Sequence, residues 1–376
     1  MDISTALPSE IWQEIAELAC TDGGRTGASL AMSCKFLRVR TYAKRFHSLA
    51  FHSLAQIESF LPLIRAPHTL HVDATQIPVV RHLWLSFFDE SSSATSQFAW
   101  PWDVRVLVAL LELLPSVAPT LSTLVLAQGL SQRLPPLALA FQFPQLAELT
   151  LFGTPTNGPV GGDLASTTHC PFDLASCPFP MLRRLHILSN THTNASARWA
   201  LISSPALGTL THLRLSRLAI DDCTSSATMC PVAVLAHVLG VSKITDKGDP
   251  SPLKDLRHLI LHGIEEPSGW CGTNEEIWYE RFYKLVSVAE EWAHNAGHDP
   301  EVRSGVPFLE SSDIRRAVCL NQEWRRDFKW KARMWDDWVA RMEDGQGCWV
   351  EGKDEEAARE GPRAPEDDEE EDTLFW

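Results

Sequence analysis

The sequence predicts an α/β chain: a three-helix N-terminal unit, an irregular solenoid of short parallel strands backed by helices, C-terminal helices and a disordered acidic tail. Three observations carry this expectation. The pattern L-x-x-L-x-[LI] returns five times between residues 121 and 261. Helical apolar stripes lie between the copies and on either side of them. Residues 351–376 hold twelve carboxylates against Lys353, Arg359 and Arg363 and contain almost nothing to bury, a composition that does not fold.

The first unit spans residues 1–52. In LPSEIWQEIAELA, Ile11, Ile15 and Leu18 recur at spacings of four and three with Trp12 beside them, the stripe of an amphipathic helix. Pro8 suits the first helical turn, and the glycines of TDGGRTG stop the helix. A second helix over Ala28–Met32 and a third over Cys34–Tyr42 follow, the third basic through Lys35, Arg38 and Arg40. A unit this small does not bury both of its faces, so part of its apolar surface wants a partner.

Residues 53–265 carry the leucine pattern at Leu121/Leu124/Leu126, Leu146/Leu149/Leu151, Leu182/Leu185/Ile187, Leu210/Leu213/Leu215 and Leu256/Leu259/Leu261, with a weaker copy at Val80/Leu83/Leu85 and a possible one at Leu70/Val72. Alternating apolar positions suit a strand, and the leucine three residues earlier covers the turn leading into it. Copies begin 25, 36, 28 and 46 residues apart, a degenerate form of leucine-rich repeats, which run about 20–29 residues. Apolar helices are expected at 56–64, 104–114, 195–202 and 232–239, so strands alternate with helices and form a parallel sheet backed by them. An ordinary α/β domain with leucine-rich strands is the alternative. In the solenoid, strand residues that point away from the core line the concave face: Thr123, Val125, Glu148, Thr150, Arg184, His186, His212, Arg214, His258 and Ile260 are the expected contacts for a target protein.

Residues 266–350 turn charged and tryptophan-rich. Ile277, Phe282, Leu285, Val288 and Trp292 follow helical spacing, and a second long helix is expected from Asp313 onward, with Trp324, Trp335, Trp338 and Met342 on one face, capping the open end of the stack.

Net charge is −15, of which the stretch from Glu351 to Asp372 supplies −9, so the folded body is only mildly acidic. That balance is a poor fit to a polyphosphate backbone, and Arg325, Arg326, Lys329, Lys331 and Arg333 around Trp330 are offset by Asp327, Asp336 and Asp337. Nucleic acid is not the expected partner, although an RNA-binding solenoid remains a distinct alternative. The most apolar stretch, Val104–Leu126, is broken by Arg105, Glu112, Pro115 and Pro119, so no membrane span is expected, and no secretory signal opens the chain. Nine scattered cysteines fit reduced thiols in cytoplasm or nucleus.

No G-x-S-x-G, G-x-x-x-x-G-K-[ST], G-x-G-x-x-G or H-E-x-x-H occurs, so no catalytic residue and no cofactor are expected. The best thiol-imidazole grouping, His169, Cys170 and Cys177 with Cys223 and Cys230, lacks the close two-residue knuckle of a zinc site. His258 and His262 lie about 13 Å apart along a strand, too far to share one ion. The adjacent carboxylates Glu265/Glu266 and Asp336/Asp337 read as solvated charges.

The N-terminal pattern, with Leu7, Pro8, Glu10, Ile11, Ile15 and Leu18 followed by Leu30, Met32, Ser33, Cys34, Phe36, Leu37 and Tyr42, resembles the F-box motif. The order of F-box, intervening helix and leucine-rich strands is similar to the fungal F-box proteins with irregular repeats. The resemblance implies a non-catalytic substrate-recognition subunit: the F-box docks on a Skp-type adaptor of a cullin–RING ubiquitin ligase, and the repeat domain holds an unidentified target protein. On that resemblance Leu7, Pro8, Ile11 and Trp12 are the apolar anchors, Cys34, Phe36 and Leu37 continue the surface, and Ile15, Leu18 and Leu30 knit the helices together. The alternative is a leucine-rich interaction scaffold with no ubiquitin role.

Overall fold

The computed structural model describes residues 7–65, 78–87, 104–128, 133–134, 141–152, 154–155, 179–188, 201–204, 207–218, 231–241, 253–263, 273–294, 316–320, 330–343, 345 and 347–349. Outside them lie Leu70/Val72, residues 195–200, the His169 and Cys170/177/223/230 grouping, Glu265/Glu266, Trp324, the basic residues 325–329 and the whole acidic tail.

The chain is a mixed α/β fold built on one parallel sheet. Its strands are β1 (Ser48–Phe51), β2 (His82–Phe87), β3 (Thr123–Gln128), β5 (Glu148–Phe152), β7 (Arg184–Leu188), β8 (His212–Leu218), β9 (His258–Gly263) and β10 (Arg316–Leu320). They pair in that order, each beside the next in sequence and all parallel. Two-residue strands β4 (Arg133–Leu134) and β6 (Thr154–Pro155) pair separately. The helices are α1 (Ser9–Ala19), α2 (Arg25–Ser33), α3 (Lys35–Arg40), α4 (Leu54–Arg65), α5 (Val104–Val117), α6 (Pro231–Leu239), α7 (Thr273–His294) and α8 (Trp330–Met342). Among the described residues no helix is long and apolar enough to cross a membrane.

All five copies of the leucine pattern, and the weaker one, fall on strands whose register aligns their leucines. Leu49, Leu83, Leu124, Leu149, Leu185, Leu213 and Leu259 form one row across the sheet, and Phe51, Leu85, Leu126, Leu151, Ile187, Leu215 and Leu261 form the next on the same face. These rows are buried against Ile57, Phe60 and Leu61 of α4, Leu110, Leu113 and Leu114 of α5, Leu235 and Val238 of α6, and Leu285 and Trp292 of α7. The leading leucine of each copy is buried in the turn before its strand, and its N–H donates to the carbonyl three residues upstream, at Ala118, Phe143, Phe179, Leu207 and Leu253. Those upstream residues are themselves buried and apolar, so the repeated unit is three residues longer than the sequence pattern suggests.

Two strands differ from expectation. Ser48–Phe51, drawn within the helical N-terminal unit, is the first strand. Arg316–Leu320, drawn as part of a long helix beginning near Asp313, is instead the eighth strand of the sheet, pairing with β9 from Arg316↔His258 to Leu320↔His262. The interleaved charges of that segment resemble a solvated helix, but the open edge of β9 offers its backbone ladder partners that a helix there would forgo.

The three N-terminal helices attach to the sheet by backbone and small residues rather than by a leucine interior. Ala16 is the only buried residue of α1, Gly27 the only one of α2, and α3 has none. A Cβ on Gly27 would come within 2.2 Å of the Arg45 carbonyl oxygen. The Ala50 N–H donates to the Gly23 carbonyl at 3.1 Å, and the Ser48 hydroxyl donates to the Cys20 carbonyl at 2.6 Å. Gly23 and Gly24 adopt φ of +73° and +101°, a region that favours glycine. Asp22 accepts from the Thr26 N–H and hydroxyl, tying down the first turn of α2.

Two outcomes follow for stability. Leu213→Ala, in the middle of the leucine rows, costs about 2–5 kcal/mol in chemical denaturation, whereas Leu111→Ala on the exposed side of α5 stays within about 0.5 kcal/mol of wild type. Gly27→Ala lowers stability even though alanine is the better helix former by about 1 kcal/mol; a more stable variant would show that the close approach to Arg45 is not what selects glycine.

Candidate functional site

Two surfaces matter: the outer side of α1 and the strand face opposite the leucine rows. Pro8 is the N-cap of α1, so the helix opens at Ser9; Ile11, Ile15 and Leu18 on it and Leu7 just before it are exposed. Leu18 is 77% exposed and Met32 of α2 is 75% exposed. Of the residues expected at an adaptor surface, Leu7, Pro8, Ile11 and Cys34 are exposed, while Trp12, Phe36 and Leu37 are half-buried. Trp12 and Phe36 meet edge to face at 5.9 Å, and Arg40 lies over the Phe36 ring. The Cys34 thiol accepts from the Leu37 N–H at 3.5 Å and opens α3.

Ile15 and Leu18, expected to knit the helices, are exposed instead. Trp12 and Phe36 join α1 to α3, and the buried positions of the unit are the small residues Ala16 and Gly27, the latter set against the Arg45 backbone. The apolar stripe is therefore longer than the sequence reading drew it. It runs from Leu7 to Leu18, with Met32 adding to the exposed apolar surface of this unit.

On the strand face the middle row reads Ala50, Trp84, Val125, Thr150, His186, Arg214 and Ile260, passing from apolar to polar as far as Arg214 and returning to apolar at Ile260. The row at the leading ends of the strands is polar: His82, Thr123, Glu148, Arg184, His212 and His258. His82 Nδ1 lies 2.9 Å from the Thr123 hydroxyl, and the rings of His212 and His258 stack at 4.3 Å.

This face is covered by the chain itself. Helix α8 lies across it rather than over the open end of the sheet, and the short helical turn Gly347–Trp349 continues its path. Met334, Trp338 and Met342 are buried against Trp84, Val125, Ala127, Phe152 and Leu188, with Trp335 alongside. Trp84, Trp335 and Trp338 have ring centroids 5.0–5.7 Å apart. Glu148 accepts from Arg341 Nε at 3.0 Å and from Trp349 Nε1 at 3.1 Å, with Arg184 at 3.6 Å. Arg214, 1% exposed, donates to the Cys348 carbonyl. Trp349 also meets His212 edge on at 5.5 Å.

The residues expected to contact a target are thus brought together on one face, but Glu148, Thr150, His186 and Arg214 are buried and Arg184, His212 and His258 half-buried. The cover was missed because α8 carries tryptophans at the right spacing for a cap, and nothing in its own sequence says which surface they meet. The signal was in the strands: Trp84 occupies a position where a solvent-facing strand residue is not expected to be a large aromatic.

Burial, then neighbouring His47, Arg81 and Arg341, pushes His82 down to about 3. Burial, then His258, Arg184, Arg341 and Arg257, pushes His212 down to about 3 as well. Cys348 is pushed far above the usual thiol range by burial and is no nucleophile. Among the described residues no group of three or more His, Cys, Asp and Glu is placed to hold a metal ion.

Both histidines fold in the neutral form and accept a proton more readily when unfolded. Their contribution to stability is complete above the unfolded value near 6.5 and is lost as pH falls toward 3. Urea midpoints are therefore expected to drop between about pH 6.5 and 5, above the range in which ordinary carboxylates titrate, and His82→Gln/His212→Gln flattens that drop. A wild-type midpoint constant across this window would contradict the assignment.

No protein-family model, curated protein or solved structure matches the chain.

Proposed function

We propose that the chain is a substrate-recognition subunit of a cullin–RING ubiquitin ligase. In this reading α1–α3 are an F-box that docks on a Skp-type adaptor, and the units of turn, strand and helix are degenerate leucine-rich repeats that hold a target protein. The sheet supports the second part: its strands follow one another in chain order, as stacked repeats do. The observation that carries the first part is the line of apolar side chains left open along α1, Leu7, Ile11, Ile15 and Leu18, on a unit held to the sheet by its other side.

An exposed leucine or isoleucine fully buried in a partner contributes about 1.5–3 kcal/mol before the costs of association are subtracted. Three or four such anchors make a specific interface out of a unit too small to close its own core. The mechanism is proximity: a target held on the sheet domain reaches a high effective concentration beside the ubiquitin-charged partner, and no residue of this chain makes or breaks bonds.

The test is capture of purified Skp-type adaptor by the full chain and by Leu7→Asp/Ile11→Asp. Both positions are exposed, so the variant keeps the wild-type melting transition while adaptor recovery falls about ten-fold or more, the consequence of losing at least 1.4 kcal/mol. Equal recovery removes the ligase reading and leaves an interaction scaffold whose N-terminal helices serve the sheet alone.

A further inference from the structure

We propose that the segment 330–349 is an internal ligand of the strand face, and that the partner this face accepts is a helical peptide of the same chemistry, with tryptophan and methionine along one stripe and an arginine after them, which binds by displacing it. The inference rests on reading this face as the surface that holds a target.

The face and the segment match in order. From β1 to β8 the middle row passes from Ala50 and Trp84 to His186 and Arg214, and the segment passes from Trp335 and Trp338 through Arg341 to the Cys348 carbonyl. The attachment is made by side chains. Among the described residues no backbone hydrogen bond joins α8 or the turn after it to a strand. The segment is held by a few anchors, its tryptophans and methionines against Trp84, Val125 and Phe152 and the Arg341–Glu148 ion pair.

The filled seat also carries a cost. Trp84 Nε1, Ser86 Oγ and Trp338 Nε1 are buried there without a hydrogen-bond partner. A buried polar group without a partner is costly relative to its hydrated state, so leaving the seat recovers part of what the tryptophans lose. The two charged groups of the face keep partners when the segment leaves. Glu148 keeps Arg184 beside it, and Arg214 keeps the Ser216 hydroxyl at 3.4 Å. A partner with the same stripe and arginine, but with an acceptor for Trp84 Nε1 and a hydrogen-bonding group for Ser86 Oγ, binds better than the segment it replaces.

The experiment uses the full chain and a fluorescein-labelled peptide of residues 329–350, followed by anisotropy. Trp338→Ser/Arg341→Glu weakens the internal segment without altering the face. Because apparent affinity scales with the fraction of chains whose face is free, the peptide is expected to bind this variant about ten-fold or more tighter than wild type. A peptide bearing the same two changes does not bind. Hydrogen exchange of the variant shows 330–343 deprotected while β3, β5, β7 and β8 keep wild-type protection. The milder Arg341→Gln gives the same ranking with a smaller gap.

The inference is overturned by equal peptide binding to variant and wild type, by no binding to either, or by strands and segment losing protection together. It is equally overturned if wild type is a concentration-dependent dimer whose segments have exchanged, since the occupant would then be a second copy. Adaptor capture is measured on the same samples. Capture without peptide binding removes this inference alone, whereas peptide binding without capture removes the adaptor reading alone.

Discussion

Strand register is the constraint on which the rest of the molecule depends. Side chains alternate faces along a strand, so a slip of one residue would turn an entire leucine row to the opposite side. Seven strands align their leucines in two rows, and the junctions that precede the strands hold the alignment. The carbonyls of His47, Arg81, Ser122, Ala147, Arg183 and Thr211 each accept two N–H groups from the chain beginning the next strand. With that repeated clamp in place, the residues between the leucines have no freedom in where they emerge. Trp84, Glu148 and Arg214 are placed on one surface by the leucines around them.

Burying such a surface is costly unless its polar groups are met. Glu148 and Arg214 are met by Arg341, Trp349 and the Cys348 carbonyl, and the tryptophans supply the apolar burial. The leucine face and the opposite face are therefore satisfied in different ways. One is a continuous apolar interior with helices from four parts of the chain; the other is a short segment with a few specific contacts, leaving three polar groups unanswered. Opening the first would expose its leucine rows, whereas opening the second would expose Trp84, Val125 and Phe152 but also hydrate Trp84 Nε1, Ser86 Oγ and Trp338 Nε1.

Much of the sheet was legible in the sequence because the leucine pattern reports local geometry. Irregular spacing between copies did not hide them, since insertions fall outside the turn and strand. The helices at 54–65, 104–117 and 231–239 were legible from apolar runs that the same rows bury. The upstream positions Ala118, Phe143, Phe179, Leu207 and Leu253 were not recognised, because no single residue type occupies them and only their burial is common. Strands β1 and β10 were missed for a related reason: Ser-Leu-Ala-Phe and Arg-Ala-Val-Cys-Leu are too short to declare a period, and the neighbouring ladder supplies what they lack. The exposed stripe on α1 was legible at Leu7, Pro8 and Ile11, but assigning Ile15 and Leu18 inward assumed that helices pack through their largest residues. Here the buried positions are Ala16 and Gly27.

The two surfaces meet at one place. A Cβ on Gly23, in the turn between α1 and α2, would lie 2.9 Å from the Trp335 ring and 2.9 Å from the Ala50 side chain. On the helix side the turn is fixed: the Gly23 N–H donates to the Ser48 hydroxyl and its carbonyl accepts from Ala50. On the α8 side the contact is only the edge of an indole. Coupling between distant sites requires an element with two arrangements that both sites bias. The turn is bound to β1 through its backbone, and in the proposed displacement the segment ending in Trp349 is the element that moves. The proposed adaptor would thus meet a unit anchored to β1, and the change proposed on occupation of the strand face would be confined to the segment that leaves it.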